Sequence, residues 1–237
     1  KHVTEYDYSA EVSQCYNEAH LTPRNTSLQK VLNTELIFEP GEEDRSDRFD
    51  SFGNPVTYFE IHKSHRSLVV SASSQVDLLP DDRGEPPTVS VAECRKIIQL
   101  GDEESELLAQ QFLLSSPFIK TDARFGEFAN DVLTPDAPVS EAVGNLMAKI
   151  YEEFTYDPQF TDMATPLDSV LKHKRGVCQD FAHLAIACLR SQGIPARYVS
   201  GYLETLPPPG QPKLEGADES HAWFAVYIPQ FGWLDFD

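Results

Sequence analysis

The spacing of apolar positions along this chain changes twice. Up to Leu78 apolar residues come in short alternating or clustered runs: Tyr6 and Tyr8 among polar neighbours, Leu28 to Phe38, Val56 to Ile61, and Leu68 to Leu78. Turn-forming clusters separate them, notably Pro40-Gly41-Glu42-Glu43-Asp44 and Phe52-Gly53-Asn54-Pro55. Short runs punctuated in this way predict strands joined by tight turns, and hence an antiparallel β-sandwich. The acidic stretch at 39–50 reads as a solvated hairpin loop.

The segment from Pro80 to Pro87 breaks the pattern with prolines, glycine and charges, and marks a domain boundary. The expected division is a sandwich over 1–85, a helical linker over 86–115 (with Glu103 to Leu114 the better helix), and a second domain over 116–237. In that domain the period becomes helical. Val139, Val143, Leu146, Met147, Ile150, Tyr151 and Phe154 share one face at 3.6 residues per turn. Thr165-Pro166-Leu167-Asp168 predicts a helix start, with threonine as cap and proline at the first helical position. The period then returns to strands in His221 to Ile228 and Trp233 to Asp237. The order of strands, linker, helices and strands makes an α+β protein.

One helix carries chemistry. After Cys178 the residues Phe181, Leu184, Ala185, Cys188 and Leu189 form an apolar stripe, and Gln192-Gly193-Ile194-Pro195 ends it. Cys178 therefore falls in the first turn, where unpaired N–H groups and the positive end of the dipole face it. Asp180, two residues on, opposes part of that field. A thiol in this setting still needs a base to become a nucleophile.

The histidines are not equivalent. His20, His62 and His65 lie in the strand-rich region as ordinary surface or interdomain residues, and the spacing of His62 and His65 is weak as a metal motif. His173 sits at a helix C-terminus. His183 is five helical steps from Cys178, roughly 140° around the helix, and cannot reach the same sulfur. His221 opens a strand that is apolar on both faces, just after the Pro-rich Leu206–Ser220 segment, which is expected to gate or line a cleft. After the turn Pro229-Gln230-Phe231-Gly232 the next strand returns alongside His221. It offers two carboxylates, Asp235 and Asp237, on the same face as Trp233. Alternation does not choose between them.

Composition narrows the function classes. The 237 residues carry a net charge of −19, which disfavours nucleic acid and anionic membrane as partners. No apolar run is long enough to span a bilayer. The cysteines Cys15, Cys94, Cys178 and Cys188 form no CxxC pair, so neither a zinc site nor a disulfide framework is indicated. A cytoplasmic setting is expected, with room for a removed leader because the chain starts at Lys1.

Arg175 to Ala187, together with His221-Ala222-Trp223 and Gly232-Trp233-x-x-x-Asp237, resembles bacterial transglutaminase-like proteins, papain-related cysteine enzymes. The resemblance implies Cys178 as nucleophile, His221 as base and Asp237 as the third member. In the family that aspartate opens an Asp-Pro-Thr motif; this chain stops at Asp237, so the core is expected to be truncated there. His20-Leu21-Thr22-Pro23-Arg24, Phe52-Gly53-Asn54 and the run from His65 to Val76 resemble the family's N-terminal sandwich module. Animal transglutaminases follow the cysteine with tryptophan and bind calcium. Gln179 and Asp180 follow it here and no calcium loop is present, so calcium-dependent crosslinking is not expected.

The expected activity is cysteine-dependent acyl transfer on amides through a thioester, with peptide or amide hydrolysis favoured over amine transfer. The substrate is a peptide or protein amide, and no cofactor or metal is required. The contrasting expectation is a catalytically silent interaction module.

Overall fold

The structure is a computed structural model that describes residues 1–161, 165–203 and 219–237. The chain divides into two compact units, one formed by Lys1–Asp82 and the other built from Arg83–Leu203 and Ser220–Asp237.

The first unit is a pair of three-stranded antiparallel sheets. Its strands are β1 (His2–Val12), β2 (Cys15–Ala19), β3 (Gln29–Glu39), β4 (Asp44–Phe49), β5 (Pro55–Ile61) and β6 (His65–Leu78). One sheet has the order β1-β6-β3 and the other β2-β5-β4. Their inner faces share one core of Ala19, Leu36, Phe38, Phe59, Ile61, Leu68, Val70 and Ala72. Phe38 and Phe59 stack across it with centroids 3.8 Å apart. The antiparallel sandwich is therefore present.

Two strands escaped the sequence pattern. The stretch expected as a solvated hairpin loop contains β4, paired residue for residue with β5 from Asp44↔Glu60 to Phe49↔Pro55. All six β4 residues are exposed, so no apolar alternation betrays it. A short, charged edge strand of this kind resists pairing with other chains. β2 is likewise short, with Ala19 its one buried residue.

The second unit holds α1 (Val91–Leu100), α2 (Glu104–Gln110) with a 3-10 turn at Gln111–Leu113, α3 (Ala123–Ala129), α4 (Val139–Glu153), β7 (Thr155–Tyr156), α5 (Leu167–His173), β8 (Arg175–Gly176), α6 (Cys178–Ser191), β9 (Ala196–Leu203), β10 (Glu219–Ile228) and β11 (Gly232–Phe236). The last three make an antiparallel sheet in the order β11-β10-β9. Residues 91–113 contribute Val91, Cys94, Ile98 and Ala109 to the same core as α4 and α6. Of the expected α4 face, Val139, Val143, Leu146 and Ile150 are buried, whereas Tyr151 is 88% exposed. Tyr151 is displaced by one 100° step from Ile150, enough to leave the buried stripe. At α5 the proline is the cap itself rather than the first helical residue, and no side-chain capping bond forms there.

α6 is the centre of this unit. The sequence shows a stripe, but Ala182 and every residue from Leu184 to Leu189 are buried. Small residues at 182, 185 and 187 let α3, α4, α5 and β9 approach it from different sides. Gly193, with φ +74, supplies the left-handed turn that releases the chain into β9. Truncating Leu184 or Leu189 here costs about 2–5 kcal/mol by cavity formation.

Candidate active site

Cys178 is the first helical residue of α6, after a sharply constrained approach. Lys174 ends α5 with φ 52, β8 runs parallel to β7, and Val177 is extended before the helix begins. The side chain of Asp180 turns back under this approach. Its Oδ2 accepts hydrogen bonds from Val177 N–H at 2.8 Å and from the Thr161 hydroxyl at 2.7 Å. Asp180 as a whole is only 5% exposed. It was expected simply to oppose the helix field near the sulfur. The structure gives it a further task, capping the loop that presents Cys178. Gly176 is part of the same arrangement, because a Cβ there would stand 2.9 Å from Asp180 Oδ2.

The first helical bond of α6 runs from Phe181 N–H to Val177 O, so the N–H of Cys178 lies ahead of the hydrogen-bonded ladder. Tyr198, on β9, lies within electrostatic reach of the sulfur. Burial, and next the charges of Cys178 and Asp180, push its phenol up from the usual tyrosine range. Tyr198 also packs on His183, with ring centroids 5.0 Å apart, and Phe118 stacks on His183 at 5.9 Å. His183 is thus a packed histidine. Burial is the main cause that pulls its pKa down. Neither Phe118 nor Tyr198 carried a sequence signal beyond being aromatic; only the packing identifies them.

His221 lies near the start of β10, the central strand of its sheet, with a half-buried ring. Its Nε2 is 2.7 Å from Asp237 Oδ1. The register explains the pairing. Phe224 faces Phe236 and Ala225 faces Asp235. One step further Asp237 comes opposite Trp223, so His221 is its diagonal neighbour on the same face. Asp235 is exposed and lies two residues back along β11, opposite Ala225. The hydrogen bond chooses Asp237 where alternation left both open.

Trp223 holds the strand ends in place. Its ring lies 6.4 Å from His221, 28° from parallel, and presses onto the backbone of β9, where a Cβ on Gly201 would meet Trp223 Cη2 at 2.5 Å. Trp233 anchors β11, packed edge-on to Tyr227 at 5.6 Å and beneath the Arg197 guanidinium at 4.2 Å.

The structure therefore pairs His221 with Asp237 and puts Cys178 at the start of α6 in the same unit. No hydrogen bond joins Cys178 to His221. His173 packs against Phe160 instead, with centroids 5.5 Å apart. The Leu206–Ser220 cleft segment lies mostly outside the described residues; Glu219 and Ser220 already belong to β10.

Residues 126–237, which hold all three candidate residues, match the transglutaminase-like superfamily, and residues 1–77 match the bacterial transglutaminase-like N-terminal region. The chain belongs to the transglutaminase-like superfamily. Relatives of this superfamily member include the uncharacterized protein Rv2569c of Mycobacterium tuberculosis, 40% identical over all of this chain and 76% of that protein. A protein-glutamine gamma-glutamyltransferase of Pseudomonas aeruginosa is 31% identical over 100 residues, covering 39% of this chain and 15% of the enzyme. Among solved structures, one described as "a putative cysteine protease" from Cytophaga hutchinsonii superposes with a TM-score of 0.74. That match covers 99% of this chain and 73% of the other at 23% identity, and it establishes the shared fold. Among the described residues no helix is long and apolar enough to cross a membrane.

Proposed function

We propose that this transglutaminase-like protein is a cysteine-dependent acyl-transfer enzyme acting on amides, with peptide or amide hydrolysis as its principal outcome. The observation that carries the reading is the 2.7 Å bond from His221 Nε2 to Asp237 Oδ1. An ionised carboxylate only accepts hydrogen bonds, so Nε2 carries the proton and Nδ1 keeps the lone pair. His221 Nδ1 is then the base that takes the Cys178 proton. The sulfur attacks the amide carbonyl, the Cys178 N–H at the head of α6 steadies the oxyanion, and the leaving amine departs with the proton from His221. Water then cleaves the thioester. An amine in place of water would give transamidation, the activity named for the Pseudomonas relative.

In this reading the partner is a peptide or protein amide, since a net charge of −19 repels nucleic acid and anionic lipid. The steps written above use no metal or cofactor, calcium included. The four cysteines are free thiols, which suits a reducing compartment, and we place the protein in the cytoplasm.

A second reading, a catalytically silent interaction module, draws its support from the missing Cys178–His221 hydrogen bond. Catalytic bonds often tighten only when substrate binds, so this observation weighs less than the built His221–Asp237 pair. The deciding experiment is turnover of a peptide-amide library with mass-spectrometric detection of an acyl adduct on Cys178. An adduct that disappears in Cys178→Ala and fails to form in His221→Ala supports the enzyme. A library left intact by the wild type, with unchanged phenotype in Cys178→Ala cells, supports the module.

A further inference from the structure

A second cysteine–histidine pair lies in the sandwich. Cys15 opens β2, and its Sγ is 3.7 Å from Nε2 of His65, the first residue of β6. His65 Nδ1 is 2.7 Å from the carbonyl oxygen of Lys63. A carbonyl can only accept, so Nδ1 carries the hydrogen and Nε2 of the neutral ring turns its lone pair to the thiol. The sulfur also accepts a hydrogen bond from Asn17 Nδ2 at 3.2 Å. Tyr8 closes the group, edge-on to His65 with centroids 5.7 Å apart. His65 is 8% exposed, so this orientation is held by the packed sandwich, while Cys15 is half-buried.

We infer that Cys15, with His65 and Asn17, forms a second reactive-thiol site that undergoes exchange with low-molecular-weight disulfides. The base, the sulfur and a donor that stabilises negative sulfur are already assembled. Access is available too. β2 is the edge of the β2-β5-β4 sheet, and among the described residues no further strand covers its outer flank. Tyr8 and Asn17 also line a cleft of about 310 Å³ with Tyr6, His20 and Leu21, which gives an adduct's tail a place to lie. The contrast within the chain is sharp. Cys94 and Cys188 are fully buried, and burial pushes both thiols up to about 12.

The exchange balances without a further oxidant. The Cys15 proton passes to His65 Nε2 and the sulfur attacks one sulfur of the disulfide. A new S–S bond forms as the old one breaks. The departing thiolate takes the electron pair and then the proton from His65. The product is a mixed disulfide that a dithiol reverses.

The test uses the whole protein with Cys178→Ala, so that the proposed catalytic thiol is absent and its fate is separate from this one. Folded protein is incubated with oxidised glutathione and the adducts are mapped by peptide mass spectrometry. Cys15 should be modified reversibly in the native state, and His65→Gln should slow the reaction by about 10²-fold, the low end of general-base assistance. Asn17→Ala should slow it by a smaller factor. Modification of Cys15 only in denaturant, or at an unchanged rate in folded His65→Gln, overturns the proposal. If His65→Gln does not fold, Asn17→Ala decides, and an unchanged rate there overturns it.

Discussion

His221 and Asp237 are joined by a 2.7 Å bond between neighbouring strands, and the bond uses Nε2, leaving Nδ1 of the imidazole open. Asp237→Asn keeps the size of the side chain but removes the charge that stabilises an imidazolium. It should lower kcat/KM for amide turnover by on the order of 10²–10⁴-fold, more in kcat than in KM. Asp235→Asn should leave both constants within about twofold, since Asp235 faces Ala225 and not the histidine. Steady-state kinetics on the two variants check this, and equal losses would assign the pairing wrongly.

Gly176 and Asp180 should behave as one unit. Gly176→Ala places a Cβ 2.9 Å from Asp180 Oδ2, and Asp180→Ala leaves Val177 N–H and the Thr161 hydroxyl without their acceptor. Each change should cost roughly 1–3 kcal/mol in denaturant unfolding. The double variant should lose somewhat less than the sum, because Asp180→Ala removes the Oδ2 and Cγ that Gly176→Ala strikes, while the Asp180 Cβ, also 2.9 Å from the new methyl, remains. Strict additivity would show that the contact does not limit stability.

Gly201→Ala tests the seat of Trp223. The new Cβ would lie 2.5 Å from Trp223 Cη2, so the ring must move or the strands must part. A drop of about 1–3 kcal/mol is expected. Indole fluorescence should change with it, and Trp223→Phe should recover part of the loss by vacating the space. Thermal unfolding of the three variants measures this.

Stability should depend on pH through His183. Its pKa is held below the ordinary 6.5, chiefly by burial, with Arg190 acting in the same direction and Asp180 against. Phe118 and Tyr198 flank the ring and supply no charge of opposite sign at neutral pH. The unfolded chain therefore binds the proton more readily than the folded one. The contribution is intact above pH 6.5, declines as pH falls below it, and is fully lost once pH passes below the folded value. His183→Phe should flatten this part of the acid limb in urea titrations between about pH 7 and 5. A curve parallel to wild type would exclude His183 as its source.

Much of the fold was legible because period and burial agreed. Leu68 to Leu78 lies within β6 and Val139 to Phe154 follows α4, since each had one apolar face and one core to meet. β4 was illegible because all six of its residues are exposed; pairing with β5 makes it a strand, and side-chain alternation carries no trace of that. Tyr151 shows the reverse error, an aromatic counted on the buried face of α4 that points to water. At the site, helix spacing already removed His183 as a partner for Cys178. The double duty of Asp180, and the neighbours Tyr198 and Phe118, depend on segments distant in sequence.

By itself, then, the chain determined which residues could do chemistry and in which elements they lie: Cys178 heading an amphipathic helix, His221 opening a buried strand, a carboxylate on the strand after it. Those are local properties, set by period, caps and turns. Tertiary structure decided which carboxylate meets the imidazole, because strand register across β10 and β11 is a long-range pairing that equivalent alternation at Asp235 and Asp237 cannot encode. It also decided that Cys15 and His65, far apart along the chain and linked by no local pattern, face one another across the sandwich.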